Sequence, residues 1–131
     1  MRAFREAVEA GDLDAVEALL AEDVVFTSPV VFKPYPGKAI TAAILRAVSQ
    51  VFEDFRYERE LAGAGGRDHA LVFAARVGDR ELSGCDFIHL DEAGLIDELT
   101  VMVRPLSAAQ ALAAAMGAQF DRIEKEAQAR A

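Results

Sequence analysis

Cysteine occurs once and histidine twice in the 131 residues, and these two scarcities close off much covalent and metal chemistry. A lone Cys85 excludes an internal disulfide, and at the centre of a predicted strand it reads as a small buried hydrophobe rather than a reactive thiol. His69 and His89 stand apart, and no HxH, HxxxH or CxxC spacing accompanies them, so no metal site is expected. No apolar run approaches the roughly 20 residues of a membrane span. The N-terminal MRAFREAVEAGD mixes both charge signs without an apolar core, which gives no support to a secretory signal. The expected setting is the cytoplasm, with no membrane partner. Basic residues are also outnumbered, 14 against 22 acidic ones, for a net charge of −8. That sign opposes phosphate backbones, so no nucleic-acid partner is expected, and the acidity serves solubility or weakly favours neutral and cationic small molecules. The glycine-rich piece Ala62-Gly63-Ala64-Gly65-Gly66 lacks the lysine and following helix of a phosphate cradle. It reads as a turn, and no cofactor is expected.

What is present is a globular composition, 53% hydrophobic and 27% charged, on a length that suits one domain. Phe4, Ala7 and Val8 mark a first helix ended near Gly11. Asp12 is placed to cap a second, whose stripe is Leu13, Val16, Leu19 and Leu20. Val24 to Ser28 is β-branched and aromatic, a strand stopped by Pro29, with Val30-Val31-Phe32 read as its continuation after a break and KPYPG as a rigid loop. Ile40, Ile44, Ala47, Val48 and Val51 give a third amphipathic helix from Lys38 to about Phe52. The period then changes to two, with Phe55, Tyr57, Arg59 and Leu61 on one face of a strand. His69 to Val77, Leu82 to Leu90 and Leu95 to Arg104 supply three more strands. Ser107 and Gln110 have the spacing of a capping box for a last helix. The predicted order is α-α-β-α-β-β-β-β-α, one domain over residues 1–120, with 121–131 as a polar tail that has little to bury.

The strand Leu82–Leu90 carries the residue of greatest chemical interest. Alternation puts Leu82, Gly84, Asp86, Ile88 and Leu90 on one face and Ser83, Cys85, Phe87 and His89 on the other. A carboxylate among apolar neighbours must be satisfied by a partner or held protonated. Pairing Val77 with Leu82 and Leu90 with Leu95 places Asp86 between Phe73 and Leu99, on a face shared with His69, Leu71, Ile88 and Val101. Ser28, Thr27, Tyr57 or water are its candidate partners. Tyr35 and Tyr57 are further candidates to aim hydroxyls at a ligand. The opposite face gathers Val72, Ala74, Cys85, Phe87, Thr100 and Met102. It is apolar too, and because helices cover only one side of such a sheet, a second copy of the chain is expected over the other, as a homodimer.

With that order and the placing of Asp86, the chain resembles the nuclear transport factor two-like superfamily, the fold of SnoaL-like cyclases and ketosteroid isomerases. The likeness runs from about residue 3 to 118 and is carried most by GDLDAVEALLAEDVVFTSP and by GCDFIHLDEAGLIDELTVMVRPLSAAQAL. It implies an α+β cone, a cystatin-like roll in which a curved mixed sheet and helices on its concave face enclose a largely apolar pocket. In the isomerase pattern an acid on this strand stays protonated and donates to a developing oxyanion, and Asp86 matches it. The general base of that pattern falls at Ser28, and an unactivated hydroxyl cannot abstract a carbon acid's proton. The first-helix tyrosine falls at Phe4. A standard ketosteroid isomerase is therefore not implied. The expected pocket residues are Phe4, Ser28, Tyr35, Tyr57, His69, Leu71, Phe73, Asp86, Ile88, Leu99 and Val101. The expected ligand is a small apolar or aromatic organic molecule anchored by Asp86, with isomerase, cyclase or dehydratase-like proton transfer as the chemistry. The alternative is a non-catalytic dimerisation or protein-binding module of the same fold.

Overall fold

Gly11, at φ +70°, turns the chain between two short helices, α1 (Arg2–Glu9) and α2 (Leu13–Ala18). Asp12 caps the second by accepting the Ala15 amide at 3.1 Å, as its position predicts. These elements and those below come from a computed structural model that describes residues 1–130. α2 stops earlier than the stripe through Leu20 suggests, because the next strand, β1 (Leu20–Thr27), begins at once. The Ile96 amide donates to the Leu19 carbonyl at 2.8 Å, and Leu20 pairs with Ile96. A ladder hydrogen bond there takes the backbone that another helical turn would need.

After β1 the segment Val30-Val31-Phe32 is not a strand, contrary to the expectation, and Phe32 is 99% exposed. Pairing resumes in the proline-bounded loop, where β2 (Tyr35–Pro36) meets Val25 and Phe26. α3 (Lys38–Val51) follows, with Thr41, Ala42, Ala43, Ile44 and Ala47 buried. Then come β3 (Glu53–Ala62), β4 (Asp68–Val77), β5 (Arg80–Leu90), β6 (Ile96–Arg104), α4 (Leu106–Gly117) and α5 (Phe120–Arg130). The six strands form one curved, unclosed sheet in the order β2-β1-β6-β5-β4-β3. β1 and β6 run parallel and the other neighbours antiparallel.

The register differs from the expected one by two residues in each hairpin. Gly78 adopts φ +59°, which permits a two-residue turn, so Val77 pairs with Arg80 rather than Leu82. Asp86 accordingly lies between Leu71 and Val101, not Phe73 and Leu99, and His69 faces Ile88. At the other hairpin Leu90 pairs with Ile96, one residue beyond the expected Leu95, and an irregularity between His89 and Leu90 adds the second residue, so that His89 pairs with Glu98. The Asp91 carboxylate accepts the Ala93 and Leu95 amides at 2.9 Å each, and that turn keeps Leu95 out of the ladder. A two-residue shift preserves side-chain parity. Leu82, Gly84, Asp86 and Ile88 are thus buried together, while Phe87 on the other face is 44% exposed. In β3 parity is not preserved. The pairing slips between Tyr57–Phe73 and Arg59–Val72, a bulge that turns Arg59 and Leu61 away from the face Tyr57 occupies.

Two expectations about the C-terminal part are corrected. The capping box does not form: Pro105, with φ −82°, takes the cap position without a side-chain bond, and α4 starts at Leu106, so Ser107 lies inside the first turn. The segment expected as a polar tail is α5, with Ile123 and Ala127 buried. It packs on α3, and Arg130 reaches Glu17 at 2.8 Å. Among the described residues no helix is long and apolar enough to cross a membrane.

Candidate functional site

Helices α1 to α5 and the inner sheet face enclose a cavity of about 350 Å³, within the range of small-molecule sites. Its floor is aromatic for a local reason. Gly84 pairs with Phe73, and a Cβ at Gly84 would meet the Phe73 ring at 2.2 Å. Only glycine lets that ring lie flat over the strand. Phe73, 1% exposed, then stacks on Phe55 with centroids 4.9 Å apart and tilts against Phe52 at 5.7 Å. Phe55 meets Tyr57 edge to face at 5.0 Å, a favoured aromatic geometry.

Asp86 stands beside this cluster, 8% exposed. Among the described residues it is the only carboxyl in the cavity wall. The Tyr57 hydroxyl donates to its Oδ2 at 3.0 Å. Its Oδ1 has no partner among the described residues and is not one of the fully enclosed orphan atoms, so it meets the open space of the cavity. Burial pushes the acid up from its ordinary 3.8 to about 7, a rise that the Tyr57 hydrogen bond partly offsets. Tyr57 is itself raised, by burial first and then by the neighbouring Asp86. The Arg5 guanidinium lies 5.8 Å from the Tyr57 ring centre and pairs with Glu9 and Glu60. An acid that titrates near neutrality can donate a proton to a bound carbonyl or take one from an acidic carbon.

The structure brings eight of the expected pocket residues to the cavity: Phe4, Ser28, Tyr35, Tyr57, Phe73, Asp86, Leu99 and Val101. Ser28 cannot serve as a base in this arrangement, since its Oγ is an unactivated hydroxyl that accepts the Val30 amide at 3.0 Å. Tyr35 bridges Phe26 and Phe120 at centroid distances of 6.4 and 6.0 Å. His69, Leu71 and Ile88 are not in the wall. Leu71 and Ile88 are buried in the hydrophobic core, and the His69 Nε2 is 2.9 Å from the Gly66 carbonyl at the strand end. Sequence reasoning missed the wall supplied by the last two helices, including Leu112, Met116, Phe120 and Ile123. The spacing of Phe120, Ile123 and Ala127 was its available signal.

On the opposite face Val72, Cys85 and Thr100 are half-buried, Ala74 is buried, and Phe87 and Met102 are exposed. There the His89 Nδ1 lies 2.6 Å from Asp97 and 3.9 Å from Glu98, three potential ligand atoms within 4.8 Å of one another. Its hydrogen bond to Asp97 raises the imidazole above its usual range, which favours the charged partner of an ion pair.

The family model of the SnoaL-like domain matches residues 1–99. No curated protein matches the chain. Among solved structures, a steroid delta-isomerase from Pseudomonas aeruginosa is 45% identical, with 91% of this chain and 87% of that one covered and a TM-score of 0.87. An uncharacterised bacterial protein with a cystatin-like fold from Silicibacter pomeroyi is 39% identical over 97% of this chain and 91% of that one, with a TM-score of 0.88. An epoxide hydrolase/cyclase-like enzyme of pyran ring formation in the polyether salinomycin shares the fold at 20% identity, over 80% and 87% of the two chains, with a TM-score of 0.65.

Proposed function

The chain belongs to the SnoaL-like domain family of the nuclear transport factor two-like superfamily, and from that premise we propose that it binds a small, mostly apolar organic molecule and moves a proton on it without a cofactor. The observation that carries this reading is Asp86, a buried acid with one oxygen held by Tyr57 and the other open to an apolar, aromatic-floored cavity. A planar conjugated ketone or a phenol fits that wall. The phenol hydroxyl, or the acidic carbon beside the ketone carbonyl, would meet Oδ1, and the ring system would lie against Phe55 and Phe73.

A single carboxyl that titrates near pH 7 can serve both halves of an isomerisation or a ring closure. Ionised, it takes a proton from the carbon beside the carbonyl. Protonated, it returns that proton to another carbon or to the developing oxyanion. Tyr57 keeps the carboxyl oriented and lends a hydrogen bond to its charged form. The 45%-identical Pseudomonas aeruginosa protein is a steroid delta-isomerase, and that reaction is of this class. Ser28 and Phe4 stand where the isomerase pattern has its base and its tyrosine, so the work falls on Asp86 alone, and they equally suit binding without turnover in a non-catalytic module. Pairing of two copies through the face that bears Phe87 and Met102 belongs to the same proposal. Sedimentation of Met102→Lys as a monomer against a native dimer would support it, and a native monomer would remove it.

The experiment is a ligand-induced thermal shift across polycyclic ketones and phenols for the native protein and Asp86→Asn. Stabilisation of the native protein that the variant loses supports the anchor role. If no compound discriminates between the two, that role is wrong.

A further inference from the structure

A second, polar cleft adjoins the Asp86 cavity, and Gly11, Leu13 and Ser49 belong to the walls of both. The same helices build the two spaces from different faces. α5 gives Phe120 and Ile123 to the cavity and Arg122 and Lys125 to the cleft, while α3 gives Ile44 and Val48 to one and Arg46 and Gln50 to the other. The cations of the cleft are incompletely matched. Among the described residues no carboxylate lies within 4.0 Å of Arg122 or Lys125. The Arg122 Nη2 is instead oriented by two neutral amide oxygens, Gln50 Oε1 at 3.3 Å and Gln119 Oε1. Arg46 binds Asp14 and Glu17 through Nη2 at 2.6 and 2.9 Å, yet its Nε–H is enclosed without an acceptor. Of the three acids in the same walls, Asp14 is paired with Arg46, whereas Asp12 accepts only the neutral Ala15 amide at the start of α2 and keeps its charge. Glu126 remains.

From this juxtaposition we infer that the ligand is amphipathic, an apolar ring system in the Asp86 cavity joined to a carboxylate that passes the Gly11–Leu13–Ser49 rim and meets Arg122 and Lys125. The inference rests on the apolar-ligand reading above and adds the acidic group. It reverses a tendency of composition, since an excess of acidic residues in the whole chain repels anions at long range, and these local donors act within contact distance.

The test uses calorimetry with hydroxynaphthalene probes whose alkyl tails are graded in length, each ending in a free carboxylate or in its methyl ester. Native protein, Arg122→Gln and Lys125→Gln are compared at low and high salt. Both side chains are exposed, so the variants keep the fold. The expected result is that at one tail length the acid binds about fivefold more tightly than its ester, as two partly exposed ion pairs allow. That margin should shrink with salt and with either substitution, while the ester is unaffected by them. Equal binding of acid and ester at every tail length, with ester binding still lost in Asp86→Asn, overturns the carboxylate inference and leaves the cavity reading in place. Binding of neither form overturns both.

Discussion

Replacing Asp86 by asparagine should make the protein more stable at alkaline pH than the native chain, and the size of the effect follows from the site. The carboxyl is raised from 3.8 to about 7 by burial in the folded protein. Between those values the unfolded chain has lost its proton and the folded one has kept it, so native stability falls as pH rises through this window and levels off above pH 7. That separation corresponds to about 4 kcal/mol, of which about 3 kcal/mol should appear between about pH 4.5 and pH 8. Asparagine keeps an oxygen for the Tyr57 hydroxyl and never ionises, so the variant avoids the loss. Urea denaturation of both proteins across that range gives the difference directly. For a chain of this length it corresponds to a melting-point gap that widens by roughly 10 °C as pH rises. A gap independent of pH, or one that closes as pH rises, would refute the claim that burial dominates the environment of Asp86.

Three other substitutions address the parts that build this environment. Tyr57→Phe removes the only donor to Asp86 among the described residues, so the acid should titrate higher still and the folded state should lose about 1–3 kcal/mol where Asp86 is ionised; carboxyl NMR and denaturation at about pH 8 read both. Gly84→Ala drives a methyl into the Phe73 ring at 2.2 Å and should cost about 2 kcal/mol, with near-ultraviolet circular dichroism reporting the displaced aromatic cluster. Ile123→Ala, at a position 1% exposed, should cost about 3 kcal/mol in the same cooperative transition if α5 is part of the core, whereas a neutral result would return the segment to the status of a tail.

The face of the sheet that carries Asp86 was legible because parity along a strand depends only on counting by two. Val77 and Leu82 are not partners, yet the error was an even number of residues, so Asp86, Gly84 and Phe73 still fell on the inner side. The exact neighbours were not legible, because they depend on whether Gly78 closes a two-residue turn, a choice of backbone angle that neighbouring residues do not dictate. In β3 the bulge between Tyr57 and Arg59 broke the parity itself, and a regular alternation of residue types gave no sign of it. Helix α5 was undervalued for a different reason. Its charges were conspicuous, and only one large apolar residue, Ile123, follows Phe120, but burial of Ile123 and Ala127, with Phe120 packed against the core, seats the helix on α3. Tyr57 was among the candidate partners of Asp86, and only the fold could choose it over Ser28, whose hydroxyl is turned to the Val30 amide.

The central claim is that Asp86 is a buried acid held near neutrality at the wall of an apolar cavity. Its side-chain carboxyl carbon can be followed by NMR through a pH titration of the native protein. The structure predicts a midpoint at about 7, and a midpoint at or below the ordinary aspartate value of about 4 would contradict it.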